Sequence, residues 1–483
     1  MRSYIVPLVL SAGLVSGCAM ASQRAGFQEV SQTVETRTGF QVQWNQGTSE
    51  DAQVAERLQA LLQQDLTAEA AVQIALLNNA ALQATFEELG IAQADLVQAG
   101  LLKNPVFAGH ARFPEESDAA VNTEFSVSQD FTEIFLRPLR KKLATAQFEQ
   151  AAIQVSHQVL ELAAQVRSAF YAAQGAEHTA TMQQTIFQAA QASAELAQRQ
   201  HAAGNINDLE LAQHQAAYQQ ASLDLASSQA QVLVARERLN RLMGRVDAPA
   251  WTISAEPPPL APEELLAEEL ESLAVAQRLD LAAARKEVQV LEEGLKLVRR
   301  GVIPDVKVGI DTERDTDRSR VTGPSWEMEL PVFDRRQGSV SKAQAQLRRS
   351  QRQLAALEAQ IRSEVRSAWG RVQAARQRVS RYREVLIPLR EKIVAESQKH
   401  YNFMLIGVYD VLQAKREEIS AYQAYIEAFQ DYWNARTELE RAIGGRLVSE
   451  PAPQPTPASP EQPPMQEPEM PEGTQAHPQG GHS

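Results

Sequence analysis

Two acidic residues beside sharp helical turns are the groups best placed to act on a charged ligand. Asp410 lies in Ile406-Gly407-Val408-Tyr409-Asp410-Val411-Leu412-Gln413, and Asp208 lies in Gly204-Asn205-Ile206-Asn207-Asp208-Leu209, about 200 residues earlier. In each stretch a glycine is expected to end one helix, with the Asp where the next begins. A carboxylate at that place either caps the helix or presents charge at the turn. A second group is Met465, Met470, His477 and His482, within a tail of ten prolines at 451–483. Thioether and imidazole suit a soft ion such as Cu(I) or Ag(I), but the spacing is irregular and a disordered polar tail has the same composition. The eight histidines are scattered, with no HExxH, phosphate-binding glycine loop or nucleophile–base constellation. Neither an enzyme nor a bound cofactor is expected.

The single cysteine, Cys18, is explained by its surroundings. Arg2 precedes an apolar run from Tyr4 to Val15, followed by Ser16-Gly17-Cys18. That is a secretory signal over 1–17, with an apolar core too short to act as a stop-transfer helix. Its ending resembles a bacterial lipobox, which implies lipidation at Cys18. Ordinary cleavage near Ala19 or Ala21 is the alternative. Ala19 follows the cysteine where an inner-membrane retention signal would place Asp, so the resemblance implies the outer membrane. A formal charge of −13 with no compensating basic stripe argues against nucleic acid. The short basic run Arg137-Pro138-Leu139-Arg140-Lys141-Lys142 reads as a solvated or headgroup-facing patch.

The turns must be held by unusually long helices. After an arm over 18–64, expected to be largely irregular, helical spacing runs from Thr67 to about Leu101 and stops at Asn104-Pro105. A run of 66 residues then extends from Pro138 to Ala203, roughly 100 Å as a helix, and another covers Asp208 to Met243. Beyond the linker at 246–263 the pattern restarts. Ala75-Leu76 pairs with Ala274-Val275, Pro105 with Pro304, and Val166-Arg167-Ser168-Ala169-Phe170 with Val365-Arg366-Ser367-Ala368-Trp369, all at an offset of 199. A shared register over this distance points to duplication. The repeats are expected at 65–245 and 264–446, with a disordered Pro-rich tail at 447–483. The second long run covers Val340 to Leu405, with a kink expected at Pro388, and a last helix covers Asp410 to Ile443.

Each repeat also carries two alternating stretches. Thr123, Phe125, Val127 and Phe131 oppose Glu124, Ser126, Ser128 and Asp130, and a weaker alternation covers Val106 to Phe113. Val306, Val308 and Ile310 oppose Asp305, Lys307 and Asp311, and Trp326, Met328 and Leu330 oppose Glu327 and Glu329. Strands apolar on one face and polar on the other suit a membrane barrel with a wet lumen or a soluble hairpin on a core. Four strands cannot close a barrel, so insertion in a bilayer would require several chains.

The lipobox, two repeats of helix, β-hairpin, long helix, turn and helix, and Leu330-Pro331-Val332-Phe333-Asp334-Arg335 after the last strand together resemble the TolC-like family of outer-membrane efflux channels, in its lipidated branch. The resemblance spans about 60–446. It implies a mainly α fold with a small β portion, assembled as a homotrimer with a twelve-stranded transmembrane β-barrel and a periplasmic α-barrel. The implied partners are a periplasmic adaptor, a proton-driven inner-membrane pump and outer-membrane lipid. The function implied is a passive conduit for metal ions or small toxic compounds. Asp410 would then line the periplasmic constriction, with Gln413 where some members have a second acid, and Asp208 near the matching first turn. Gly204, Asn205, Gly407 and Val408 would lie at adaptor-docking turns, Val408 standing where some members place a locking Arg. Tyr401, Phe403, Met404 and Leu405 suit either docking or interhelical packing. A periplasmic adaptor or a structural coiled-coil lipoprotein is the rival reading, separated by the two helical repeats and by the alternating strands.

Overall fold

In the computed structural model, residues 24–115, 120–245, 251–253, 259–260 and 266–447 are described. Cys18, the signal segment, Glu116 to Asp118, Pro257-Pro258, most of the linker and the Met/His tail lie outside them. Of a second compact unit, Leu447–Ser483, only Leu447 falls within the described residues, and the architecture below belongs to the first.

The segment expected to be an irregular arm contains two helices, α1 (Phe27–Thr38) and α2 (Ser49–Leu62). Between them Phe40, Val42 and Trp44 point inward along an extended stretch. That stretch forms no strand among the described residues; glutamine side chains bond its backbone. Gln73 and Gln83 each donate from Nε2 to a carbonyl, of Gln41 and Gln43, at 2.9 Å, and Gln83 Oε1 also accepts from Asn45 N. The order of this arm is supplied by the helices it lies on, which is why no periodicity of its own announces it.

Those helices are α3 (Ala68–Asn78) and α4 (Ala80–Ala99), where one continuous helix was expected from Thr67. The break is Asn79, extended at ψ 116°. Its Oδ1 caps α4 by accepting from Leu82 N at 2.9 Å, and its Nδ2 donates to the Leu242 carbonyl at 2.8 Å. One amide thus starts α4 and satisfies the C-terminal end of α6 (Asp208–Leu242), where carbonyls have no helical partner. Gly244, at φ +71°, allows this contact, since a Cβ there would come within 2.4 Å of the Asn78 oxygen.

The long helix α5 (Thr132–Ala202) begins six residues before Pro138, which sits in its second turn. It spans roughly 107 Å at 1.5 Å per residue. Helices α3 and α4, then α6, lie along it end to end. The second half repeats the plan with α7 (Ala267–Gln277), α8 (Leu279–Arg300), α9 (Gln337–Arg381), α10 (Ile387–Asn402) and α11 (Val408–Ile443). Arg278 breaks α7 from α8 as Asn79 breaks α3 from α4, 199 positions apart. The perturbation expected at Pro388 is a π-helical turn, Tyr382–Leu386, just before it. A π-turn absorbs the carbonyl that a proline leaves without its donor.

Strands β1 (Val106–Arg112), β2 (Asn122–Asp130), β3 (Val306–Arg314) and β4 (Arg320–Met328) form one antiparallel sheet in the order β1-β2-β3-β4. The two hairpins are joined by β2 and β3, where Val127 faces Ile310 and Phe125 faces Thr312. The apolar core lies in the middle of the helical region, with Phe86, Leu89, Trp44 and Val34 fully covered. Phe27 packs edge-on against Phe86 at 5.2 Å.

Candidate channel site

The turn joining α5 to α6 is closed by two bonds. Asn205 N donates to the Gln200 carbonyl and Gly204 N to the His201 carbonyl, each at 2.9 Å, with Gly204 left-handed at φ +76°. This is a Schellman arrangement, and glycine there costs no steric strain. The turn joining α10 to α11 has the same pair of bonds, Leu405 N to His400 O at 2.9 Å and Met404 N to Tyr401 O at 2.8 Å. Its left-handed residue is Met404, at φ +61°.

That changes the expected placement of two residues. Gly407 does not end a helix; it is the extended N-cap of α11, and Met404 takes the position of Gly204. Val408 is the first residue of α11, not the residue following a chain-reversing glycine. The structural counterpart of Asp410 is accordingly Glu210, and that of Asp208 is Val408. Asp410 accepts from Gly407 N at 2.9 Å, so it closes the N-terminus of its helix from the third position. In the first turn the cap is Asn207, which accepts from Glu210 N at 2.9 Å. Asp208 is not a cap: its side chain is 97% exposed and meets His201 Nε2 at 2.8 Å.

Asp410 and Gln413 share an exposed face of α11, one turn apart, and Gln413 Nε2 donates forward to Glu417 Oε1 at 3.1 Å. Glu417 in turn pairs with Arg390 of α10. The polar line on this face is therefore longer than the two residues read from the sequence.

The two hairpin ends are tied together by residues that sequence reasoning missed as contacts. Tyr409 Oη donates to Gln200 Oε1 at 2.7 Å, joining α11 to α5, and its ring stacks on His214 of α6 at 4.1 Å. His214 Nδ1 is 3.1 Å from Ser193 Oγ of α5. Burial, then the neighbouring Arg416, hold the His214 imidazole below its ordinary value, against an opposing pull from Glu210. Burial, then Glu210, raise the Tyr409 phenol. The only sequence signal was that Tyr409 lies within the turn stretch. Phe403 and Leu405 are exposed beside Met404, which is 93% exposed, so these three are not covered by the described helices of their own chain.

At the other end of the molecule, strand register sorts the sheet into two chemical faces. Phe107, Val127, Ile310 and Pro324 lie across from one another on one face, and Trp326, Val308 and Gln129 form a second row of it. The opposite face carries Asp130, Lys307 and Glu327 in one row, with Lys307 Nζ at 3.2 Å from Glu327. Trp326 is 74% exposed, and no layer of the described chain covers the apolar face. The outer edges of β1 and β4 have no strand partner among the described residues. No described helix is long and apolar enough to cross a membrane.

The chain is similar to known proteins. The cobalt-zinc-cadmium resistance protein CzcC of Cupriavidus metallidurans is 26% identical over 390 residues, covering 78% of this chain and 90% of that relative. The crystal structure of the Campylobacter jejuni CmeC outer membrane channel shares the fold at TM-score 0.68 and 15% identity, covering 78% of this chain and 85% of the other. The open state of the Neisseria gonorrhoeae MtrE outer membrane channel matches at TM-score 0.61 and 16% identity, over 80% of this chain and 89% of the other. A profile of the outer membrane efflux protein family matches residues 71–245 and 270–445. Two helical repeats, a strand sheet between them and this match lead to one conclusion: the chain belongs to the outer membrane efflux protein family, whose members are channels and not enzymes.

Proposed function

We propose that the chain forms a homotrimeric conduit through the outer membrane, passing metal cations delivered by a periplasmic adaptor and a proton-driven inner-membrane pump. The observation that carries this reading is the four-stranded sheet, apolar on one face, polar on the other and open at both edges. Three copies joined edge to edge make a closed barrel of twelve strands, which leaves no unpaired backbone in the bilayer.

The helices support the same assembly. Their contacts run α6 to α5, α5 to α11, and α11 to α9 and α10, leaving α6 and α10 at the two margins. Leu209, Leu223 and Leu233 are exposed along α6, and Leu389 and Ile393 along α10. Two different apolar margins on one chain suit a head-to-tail ring. The hairpin ends then meet around one axis at the periplasmic mouth, with Asp410 and Gln413 lining it and Asp208 nearby. Gly204, Asn205, Gly407 and Val408, beside exposed Phe403 and Met404, face the adaptor. Cys18 carries the lipid anchor. Metal cargo is supported by the name of the CzcC relative and by a carboxylate ring at the mouth.

Single-channel recording of purified trimers in a planar bilayer tests this. Wild type is expected to conduct and to prefer cations, and Asp410→Ala to lower that preference while the trimer still assembles. Absence of conductance, even after the hairpin ends are loosened by mutation, would sink the channel reading. Unchanged selectivity would leave Asp410 as a helix cap alone.

A further inference from the structure

The base of the sheet carries a feature that conduction does not use. Phe131 follows the last residue of β2, is the N-cap of α5 in helical conformation, and is exposed at the foot of the sheet. Phe135 stands one turn later on the same side of α5 and is 69% exposed. Seven residues beyond it, about 10 Å along the helix axis, the same side presents Lys142, with Lys141 next to it. A helix face that changes from aromatic to cationic over this distance matches the passage from a hydrocarbon boundary to headgroups.

Three of the four strands have a cation near this end in the sequence. Lys103 precedes β1, Arg299 and Arg300 end α8 before β3, and Arg335 follows β4 after the exposed Val332 and Phe333. Thr132 Oγ1 binds the Pro304 carbonyl at 2.9 Å and accepts from Val306 N at 2.7 Å, so the start of α5 is fastened beside the end of α8. Some of these charges are used internally. Lys103 bridges Asp130 at 3.3 Å and Glu133 at 3.1 Å, and Lys142 lies 3.5 Å from Glu293. Lys141, Arg299, Arg300 and Arg335 are exposed and have no carboxylate partner among the described residues. Four such cations gather here in a chain of net charge −13, alongside the exposed acids Asp305, Glu329 and Asp334.

We propose that this collar binds the anionic phosphodiester headgroups of phospholipids in the periplasmic leaflet, with the acyl chains against Phe131, Phe135 and Val332. The site rests on the reading that the sheet lies in a bilayer. It differs from the mouth proposed for conduction, because it lies at the sheet end of the chain and not at the hairpin ends.

Native mass spectrometry of the purified full-length protein, mixed with equal amounts of phosphatidylglycerol and phosphatidylcholine, tests the assignment. Wild type is expected to retain phosphatidylglycerol by about tenfold over phosphatidylcholine at low ionic strength, since each basic residue near an anionic surface contributes about fivefold at most. Lys141→Gln/Arg299→Gln/Arg300→Gln should reduce this to about twofold or less, whereas Arg348→Gln/Arg349→Gln, away on α9, should leave it unchanged. The Lys141→Gln single variant keeps the test open should the triple variant fail to assemble, and is expected to give an intermediate ratio. Equal retention of the two lipids by wild type overturns the proposal. So does loss of the preference on adding inorganic phosphate, which would make this a free-phosphate site. Conductance measured on the same preparations separates the two readings: normal conductance with equal retention removes the lipid site alone, and no conductance in either lipid removes the channel.

Discussion

The two hairpin ends follow the same backbone path with different residues along it. Both close with a Schellman pair of hydrogen bonds, yet the left-handed position is Gly204 in the first and Met404 in the second. Asn207 caps α6 with its own side chain, whereas α11 is capped from Asp410, three residues in. The first end is polar, with His201 and Asp208 in hydrogen-bond contact; the second exposes Phe403, Met404 and Leu405. Duplication has preserved the turn and let the chemistry diverge. The backbone bonds set the path, and the side chains are free to specialise. A methionine held left-handed costs about 1 kcal/mol relative to glycine, and it points away from the protein, so local stability does not account for its presence.

The same comparison applies at the mid-helix joints, and there the largest effect is expected. Asn79 and Arg278 both break a helix and fasten it to the end of another. Arg278 does so with charge, binding Asp280 and Glu364 each at 2.6 Å and the Ala442 carbonyl at 3.3 Å. Arg278→Ala should cost about 3 kcal/mol because it strands partly buried carboxylates, against about 1–2 kcal/mol for Asn79→Ala, compared by thermal denaturation. Burial tends to raise the Asp280 carboxyl, but the Arg278 guanidinium outweighs it and holds the group below its usual range. Stability from this pair is therefore present above the unfolded value near pH 4 and is lost as pH falls through the folded one. The gap between wild type and Arg278→Ala should narrow in acid; a gap independent of pH would remove the charge from the explanation.

A smaller effect is expected where the two ends touch. Tyr409→Phe removes the bond to Gln200 at a cost of about 0.5–1.5 kcal/mol, and hydrogen exchange at the α10–α11 turn should accelerate. His214, held low by burial and Arg416, favours the neutral stack on Tyr409. That contribution is present above the ordinary histidine value near 6.5 and is lost as pH falls through a lower one. Acidification should therefore speed exchange in wild type more than in His214→Gln. Equal acceleration in both would show that His214 is not the sensor.

The smallest effect should come from exchanging the left-handed residues. Met404→Gly is expected to stabilise its turn, and Gly204→Met to destabilise the other, each by about 1 kcal/mol or less. Binding of the adaptor should move the opposite way for Met404→Gly, weakening although the turn is more stable. If affinity is unchanged, the exposed methionine has no docking role.

Much of this was legible in the residues because it is periodic. Helices of this length, the offset of 199 and the alternation in β2 and β3 repeat often enough to be read without tertiary information. Within the strands the register keeps the expected faces, since slipping one residue would put Val127 and Ile310 on the polar side, while Phe131 and Leu330 fall beyond the ends of β2 and β4. What could not be read depends on contacts between distant segments. The extended stretch of the arm is held by Gln73 and Gln83, which bond its backbone, and by Phe40, Val42 and Trp44 buried beneath it. The break at Asn79 exists because its amide also serves α6, and Gly407 looked like a helix stop because the residue doing that work is a methionine.

Asp410 began as a carboxylate beside a turn, and its residue type and one-turn spacing to Gln413 were set by the sequence alone. Helical periodicity placed both on one face. The role of Asp410 as a cap was one of the two readings that local sequence offered, and the bond from Gly407 N selects it; only the tertiary structure decided that Tyr409 next to it binds the other hairpin. Local spacing determines which face a residue occupies, because the helix repeats every 3.6 residues. What that face meets depends on chain segments about 200 residues away, and no local pattern encodes it.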